Sequence, residues 1–237
     1  NAPQRRVWRR VYGGGGEVVP RFDKARVILS LDADFLGTEG AVLQHTRGFV
    51  QGRRLDDAKH ANATMNRLYV AESAMTVTGS NADHRIRLRP SAMAALASVL
   101  QQSLGGNTEA LVAFAEEHHL NAAVLKALAK DLAGNRRKAA VVAGEHLPGN
   151  VHARVALLNA ALGAGGNTLL WNSAPAALPA SNPAKVEAAL EAGPDVVICL
   201  GVNPVYDWPG GGFAEKLAKA KLAVVHDLYA TETAAAG

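Results

Sequence analysis

The chain has 237 residues, 49% of them hydrophobic and 19% charged, and its 25 Lys+Arg exceed its 21 Asp+Glu by a net charge of +4. High apolar content with low net charge excludes intrinsic disorder as the main state. Arg5, Arg6, Arg9 and Arg10 crowd the first ten residues, so the basic excess is local and not the sequence-wide basicity of a nucleic-acid binder.

The single cysteine, Cys199, excludes an intrachain disulfide and a Cys-rich zinc site. It also excludes an iron–sulfur cluster held by this chain alone, which needs about four thiolates. No apolar run reaches the roughly 18–20 residues that span a bilayer. No hydrophobic stretch follows the N-terminal charges, so they do not read as a signal peptide. Both ends read as cut, and the sequence is taken as a fragment.

In chain order, strands are predicted at residues 27–31, 66–70, 85–88, 139–143, 168–171, 195–200 and 222–226. Most are continuous apolar runs, as expected of strands buried on both faces in a parallel sheet. Helices are predicted at 40–51, 91–104, 108–118, 121–132, 150–162, 183–191 and 212–220. Ser91 and Asn182 stand as N-caps, and Gly105-Gly106, Gly134 and Gly163 as stops. The alternation predicts an α/β fold of Rossmann-like parallel sheets flanked by helices, in two lobes. Residues 1–106 form the first lobe, 107–138 a helical connection and 139–237 the second. The second sheet is expected to join 139–143, 168–171, 195–200 and 222–226. The glycine runs at 13–16 and 210–212 read as flexible loops, since neither has the Walker spacing.

Ligands of open parallel sheets bind where strands end and helices begin. The first strand runs into Asp32-Ala33-Asp34. These acids either accept hydrogen bonds from ribose or guanine, or cap the following helix. The second strand ends at Glu72, the position that grips a ribose diol in dinucleotide folds, but the first turn lacks Gly-x-Gly-x-x-Gly. Asn81, Asp83 and His84 form a polar cluster. Arg85, Arg87 and Arg89 share one face, either to bind phosphate or a partner's carboxylates, or as a charged edge. Gly144-Glu145-His146 follows a strand, and so does Gly201-Val202-Asn203-Pro204, the most site-like turn. His146 and His152 read as solvated or core residues, and Cys199 as a buried structural thiol. No catalytic triad, catalytic residue or metal-ligand set is found.

Ordered blocks over residues 10–233 carry a resemblance. They are Phe22-Asp23-Lys24 with Val27-Ile28-Leu29-Ser30-Leu31-Asp32-Ala33-Asp34-Phe35-Leu36, Asn66-Arg67-Leu68-Tyr69-Val70-Ala71-Glu72-Ser73, Ala82-Asp83-His84-Arg85, Leu88-Arg89, Leu158-Asn159-Ala160-Ala161-Leu162-Gly163 and Leu200-Gly201-Val202-Asn203-Pro204. The chain resembles the molybdopterin oxidoreductases of the dimethyl sulfoxide reductase superfamily. More narrowly, it is similar to the molybdopterin-like iron–sulfur B subunit of alternative complex III, a quinol-oxidising membrane complex.

The resemblance implies that Asp32, Asp34, Glu72, Asp83, Gly201 and Asn203 match the positions that hold the guanosine ends of molybdopterin guanine dinucleotide. Active relatives carry Gly-Ser/x-Asn where this chain has Asp32-Ala33-Asp34, and Asp where it has Glu72. Those departures favour a structural domain of a respiratory electron-transfer complex, with no cofactor in this chain and iron–sulfur clusters in a missing region. The alternative is the cofactor-binding part of an active polysulfide- or thiosulfate-reductase type enzyme. A stand-alone nucleotide-binding protein ranks third. The implied partners are iron–sulfur, haem and quinol-oxidising subunits, without nucleic acid and without direct membrane insertion. The implied location is membrane-associated, on the periplasmic side.

Overall fold

A computed structural model describes residues 2–12, 16–54, 65–172 and 183–237. The chain divides into two compact units, Asn1–Ala177 and Leu178–Gly237.

The first unit runs α1 (Ala2–Tyr12), β1 (Glu17–Pro20), β2 (Val27–Leu31), α2 (Val42–Gln51), β3 (Arg67–Glu72), the one-turn α3 (Val77–Ser80) and β4 (His84–Arg87). It continues with α4 (Met93–Ser103), α5 (Glu109–Glu117), α6 (Ala122–Gly134), β5 (Ala139–Ala143), α7 (Gly149–Leu162) and β6 (Leu169–Asn172). Four strands form a parallel sheet in the order β4-β3-β2-β5, with Leu29 opposite both Tyr69 and Val141. Side chains alternate across the pleat. Val27, Leu29 and Leu31 enter one core with Leu96, Leu100, Leu125 and Leu158 from the helices. Ile28, Leu68 and Val70 enter the other with Phe22, Phe35 and Phe49. Each such fully buried aliphatic side chain contributes roughly 2 kcal/mol. Both faces are covered, as continuous apolar strands require, so the α/β class read from the sequence stands.

From β2 the chain steps outward to β3 and β4. It then returns through α4, α5 and α6 to β5 on the far side of β2. The order therefore reverses between β2 and β5, and the carboxyl ends of those two strands flank a topological switch point.

The second unit runs α8 (Pro183–Glu191), β7 (Val196–Leu200), α9 (Pro204–Asp207), α10 (Phe213–Leu217), β8 (Leu222–His226) and α11 (Glu232–Ala236). β7 and β8 pair in parallel, Ile198 opposite Val224. One face packs Val197 and Ala223 against Leu190, Phe213 and Leu217. The other is bare: Val196, Ile198 and Leu200 are 51%, 60% and 65% exposed.

Several expectations need correction. The strands at 139–143, 168–171, 195–200 and 222–226 do not share a sheet. β5 joins β2, and β6 pairs antiparallel with the unanticipated β1, Trp171 opposite Val18. A short apolar run does not encode its partner; long-range bonds decide it. Thr168 Oγ1 donates to the Ala139 carbonyl at 2.5 Å, and Arg21 N donates to the Thr168 carbonyl at 2.7 Å. Along the outer edge of β5 the Asn159 amide satisfies both backbone groups of Val141, at 3.0 and 2.8 Å. The division accordingly falls at 177/178, and the helical stretch 107–138 packs into the first unit's core instead of separating lobes. Ser91 caps nothing, because it lies inside a 3-10 turn, Pro90–Ala92, that precedes α4. Gly163 does end α7, in the left-handed conformation at φ 66°. β7 and β8 are buried on one face only. Asn182 and Gly13–Gly15 lie outside the described residues.

Candidate functional site

The switch point is built from the turn after β2. Asp32 sits there with φ 52°, a left-handed conformation that strains most side chains and that Asp tolerates better than most. The turn is tied by Ser30, whose Oγ donates to the Ala33 carbonyl at 2.8 Å. Asp32 N donates to the Ala71 carbonyl at 2.7 Å, and Gly144 N to the Leu31 carbonyl at 2.9 Å. Residue 144 must be glycine, since an added Cβ would collide with the Asp32 carbonyl.

Three sequence-predicted acids gather at the carboxyl ends of β2 and β3, and each is already engaged. Asp32 accepts from Ser73 N at 3.3 Å and lies 3.3 Å from His146 Nε2. Asp34 is 8% exposed and accepts from Thr78 N and Oγ1 at 2.9 and 2.8 Å, and from Thr38 Oγ1 at 3.2 Å. Burial acts to raise its pKa, but the bonds from Thr78 and Thr38 together hold it below the ordinary carboxylate value. Glu72 is 1% exposed. It binds Arg85 Nε at 2.5 Å and Thr76 Oγ1 at 2.7 Å. Gly79 packs so closely on the Glu72 carboxylate that a side chain at 79 would overlap it.

The remaining predicted residues lie elsewhere. Asp83 precedes β4 and accepts from Leu68 N at 2.7 Å, beside the start of β3 and so at the opposite end of the sheet from Glu72. Burial works against its ionisation, and bonds from Arg53 and Leu68 N outweigh that to lower its pKa. Gly201 and Asn203 come together in the second unit. Gly201 turns the chain at φ 59°, and its N donates to the His226 carbonyl at 2.9 Å. Asn203 Oδ1 accepts from Thr233 N and Oγ1 at 3.1 and 2.8 Å, while its Nδ2 donates to Glu232 Oε2 at 2.6 Å. That amide bolts α9 to α11. Of the three arginines, Arg85 is held by Glu72, while Arg87 and Arg89 line a groove with His118 and His119. Cys199 is buried, and burial raises its thiol pKa.

Sequence reasoning missed Glu39, and it read His146 as a solvated or core residue. His146 rises from the turn after β5, half exposed, with Nε2 3.3 Å from Asp32 Oδ2 and Nδ1 3.7 Å from Glu39 Oε1. Glu39 Oε2 accepts from Glu145 N at 3.0 Å, and burial raises the Glu39 pKa. The signal for His146 was Gly144 directly after a parallel strand; nothing local marked Glu39. The crevice is thus carboxylate-rich with one imidazole. It suits hydrogen-bond donors and cations and opposes a bare phosphate. Among the described residues no three His, Cys, Asp or Glu side chains converge to hold a metal ion, and no helix is long and apolar enough to cross a membrane.

No family model and no curated protein matches the chain. Among solved structures, acetylene hydratase from Pelobacter acetylenicus is similar in fold, with a TM-score of 0.62 at 15% identity over 99% of this chain. The chain spans 42% of that protein's length. At this identity the likeness is one of fold.

Proposed function

We propose that the chain is a molybdopterin-oxidoreductase-like domain of a respiratory electron-transfer complex, kept for its architecture and without a redox centre of its own. The likeness in fold to acetylene hydratase, a protein of the dimethyl sulfoxide reductase family, supports the superfamily. The ordered sequence blocks carry the finer resemblance to the alternative complex III subunit. In that role the domain offers a docking surface to iron–sulfur, haem and quinol-oxidising subunits on the periplasmic side of a membrane.

One observation carries the architectural reading: the strand-end acids are already held by partners inside the fold. Glu72 is bound by Arg85 and Thr76, Asp34 by Thr78 and Thr38, and Asp32 by Ser73 and His146. A guanine dinucleotide would need those oxygens free for its base and ribose, and donors in place of acids near its phosphates. The residues present do not fit the group, and no catalytic step is assigned to it.

One feature favours the alternative of a cofactor-holding domain. Asp32 is a non-glycine residue in a left-handed conformation at a switch point, and strained backbone concentrates at functional sites. Calorimetric titration with GDP separates the two readings. The architectural reading expects no binding at millimolar GDP and no stoichiometric molybdenum or iron in the purified chain. GDP binding that Glu72→Gln abolishes would sink it.

A further inference from the structure

Beneath the crevice, within the first unit, lies a cavity of ≈ 170 Å³ between the turn after β2, the start of α2, the β1–β6 ribbon, β5 and α7. Its walls include Phe35, Val141, Ala143, Val155, Ala156 and Trp8. For scale, an apolar cavity of about 150 Å³ engineered in another protein takes up one benzene molecule.

The carboxylate and basic side chains on this lining are all of one sign. Glu17, Glu39 and Glu145 contribute to it, and among the described lining residues there is no lysine or arginine. The two histidines add no positive charge, because burial lowers the pKa of both His45 and His152. His152 is committed, its Nε2 3.1 Å from the Leu147 carbonyl. His45 is not: it is 9% exposed and its Nδ1 has no hydrogen-bond partner. With its proton on Nε2, the His45 ring offers Nδ1 as an acceptor. The ring is held edge-on to Phe22, centroids 5.4 Å apart, and a side chain at Gly40 would press on its Cε1.

We infer that this cavity is a binding site for a small organic amine, an ammonium head on an apolar body about one ring in size. Glu39 serves as the counter-ion, His45 Nδ1 accepts an N–H, and Phe35 and Trp8 supply ring faces for the cation. Burial raises the Glu39 pKa even with Glu145 N donating to it, and an ammonium beside the carboxylate favours its charged form. The site is separate from the nucleotide positions, so it stands whether or not the domain is architectural.

The test uses the 237-residue chain with benzylamine and its neutral analogue benzyl alcohol. Calorimetry at pH 7 is expected to give saturable benzylamine binding, about tenfold weaker for benzyl alcohol and about tenfold weaker for benzylamine with Glu39→Gln. Ala156→Trp, which fills the cavity, is expected to abolish both. Amide chemical-shift mapping on the unmutated chain reports the same site without any variant, with shifts centred on Phe35, Gly40, Val142 and Ala156. Equal affinity for the amine and the alcohol would reduce the cavity to an apolar void and overturn the inference. So would shifts centred elsewhere, or no binding at ten millimolar benzylamine.

Discussion

The β2–β3 pair and the β7–β8 pair are both parallel, both apolar and both followed by polar turns, yet they are finished differently. Ile28 and Leu29 of β2 are each fully buried, on opposite faces. In β7 Cys199 is buried while Ile198 and Leu200 stand in the open. The polar turns differ likewise. Glu72 ends β3 as a buried ion that two partners must satisfy, whereas Asn203 follows β7 as a neutral amide closing a surface loop. A continuous apolar run thus reports a capacity to be buried on both faces; whether both are covered depends on elements far away in the chain.

The largest test of this contrast is Glu72→Ala. It strands Arg85 and removes the acceptor for Thr76, and it should cost about 3–5 kcal/mol in a urea titration. A cost below about 1 kcal/mol would mean that the ion pair is no anchor. Leu29→Ala should follow at roughly 3 kcal/mol, from lost burial and the cavity left behind. Asn203→Ala should cost about 1–2 kcal/mol and leave the first unit's transition unchanged, because it removes three hydrogen bonds in the second unit alone. Ile198→Thr should be the smallest, within about 0.5 kcal/mol, since the residue is already exposed. A large loss there would show that the bare face is covered in solution.

Acidity sharpens the comparison further. The first unit buries His45 and His152 with lowered pKa, while the only buried polar residue among those described in the second unit is Thr233. Below the ordinary value of 6.5 the unfolded chain binds protons that the folded histidines refuse. Their contribution to stability is therefore whole above that pH and is lost as pH falls toward the folded pKa values. Thermal melts from pH 8 to 5 should show the loss in the first unit's transition, and His152→Leu should flatten it.

Much of the fold was legible because local chemistry sufficed. The apolar runs of β2, β3 and β5 and the Gly163 stop of α7 each carry their own signal. What failed was pairing. Glu17-Val18-Val19-Pro20 is too short to announce a strand, and its partner lies some 150 residues away. At the site, Asp32, Asp34 and Glu72 could be grouped from sequence because strand ends in a parallel sheet point to one edge. Asp83 was given a nucleotide position by the resemblance alone, and it lies at the opposite end of the sheet from Glu72. His146 went unassigned because its two carboxylate neighbours come from separate segments, 114 and 107 residues away.

The glycines at 37, 79 and 144 share one geometry: each lies against Asp34, Glu72 or the Asp32 backbone so closely that a methyl group would not fit. Loops usually trade their amide protons with water within seconds to minutes. Here the amides of Thr78 and Gly144 are held by buried acceptors behind those glycines. In deuterated water they should keep their protons as long as the strands do, so that the connecting loops around the switch point open only when the whole first unit does.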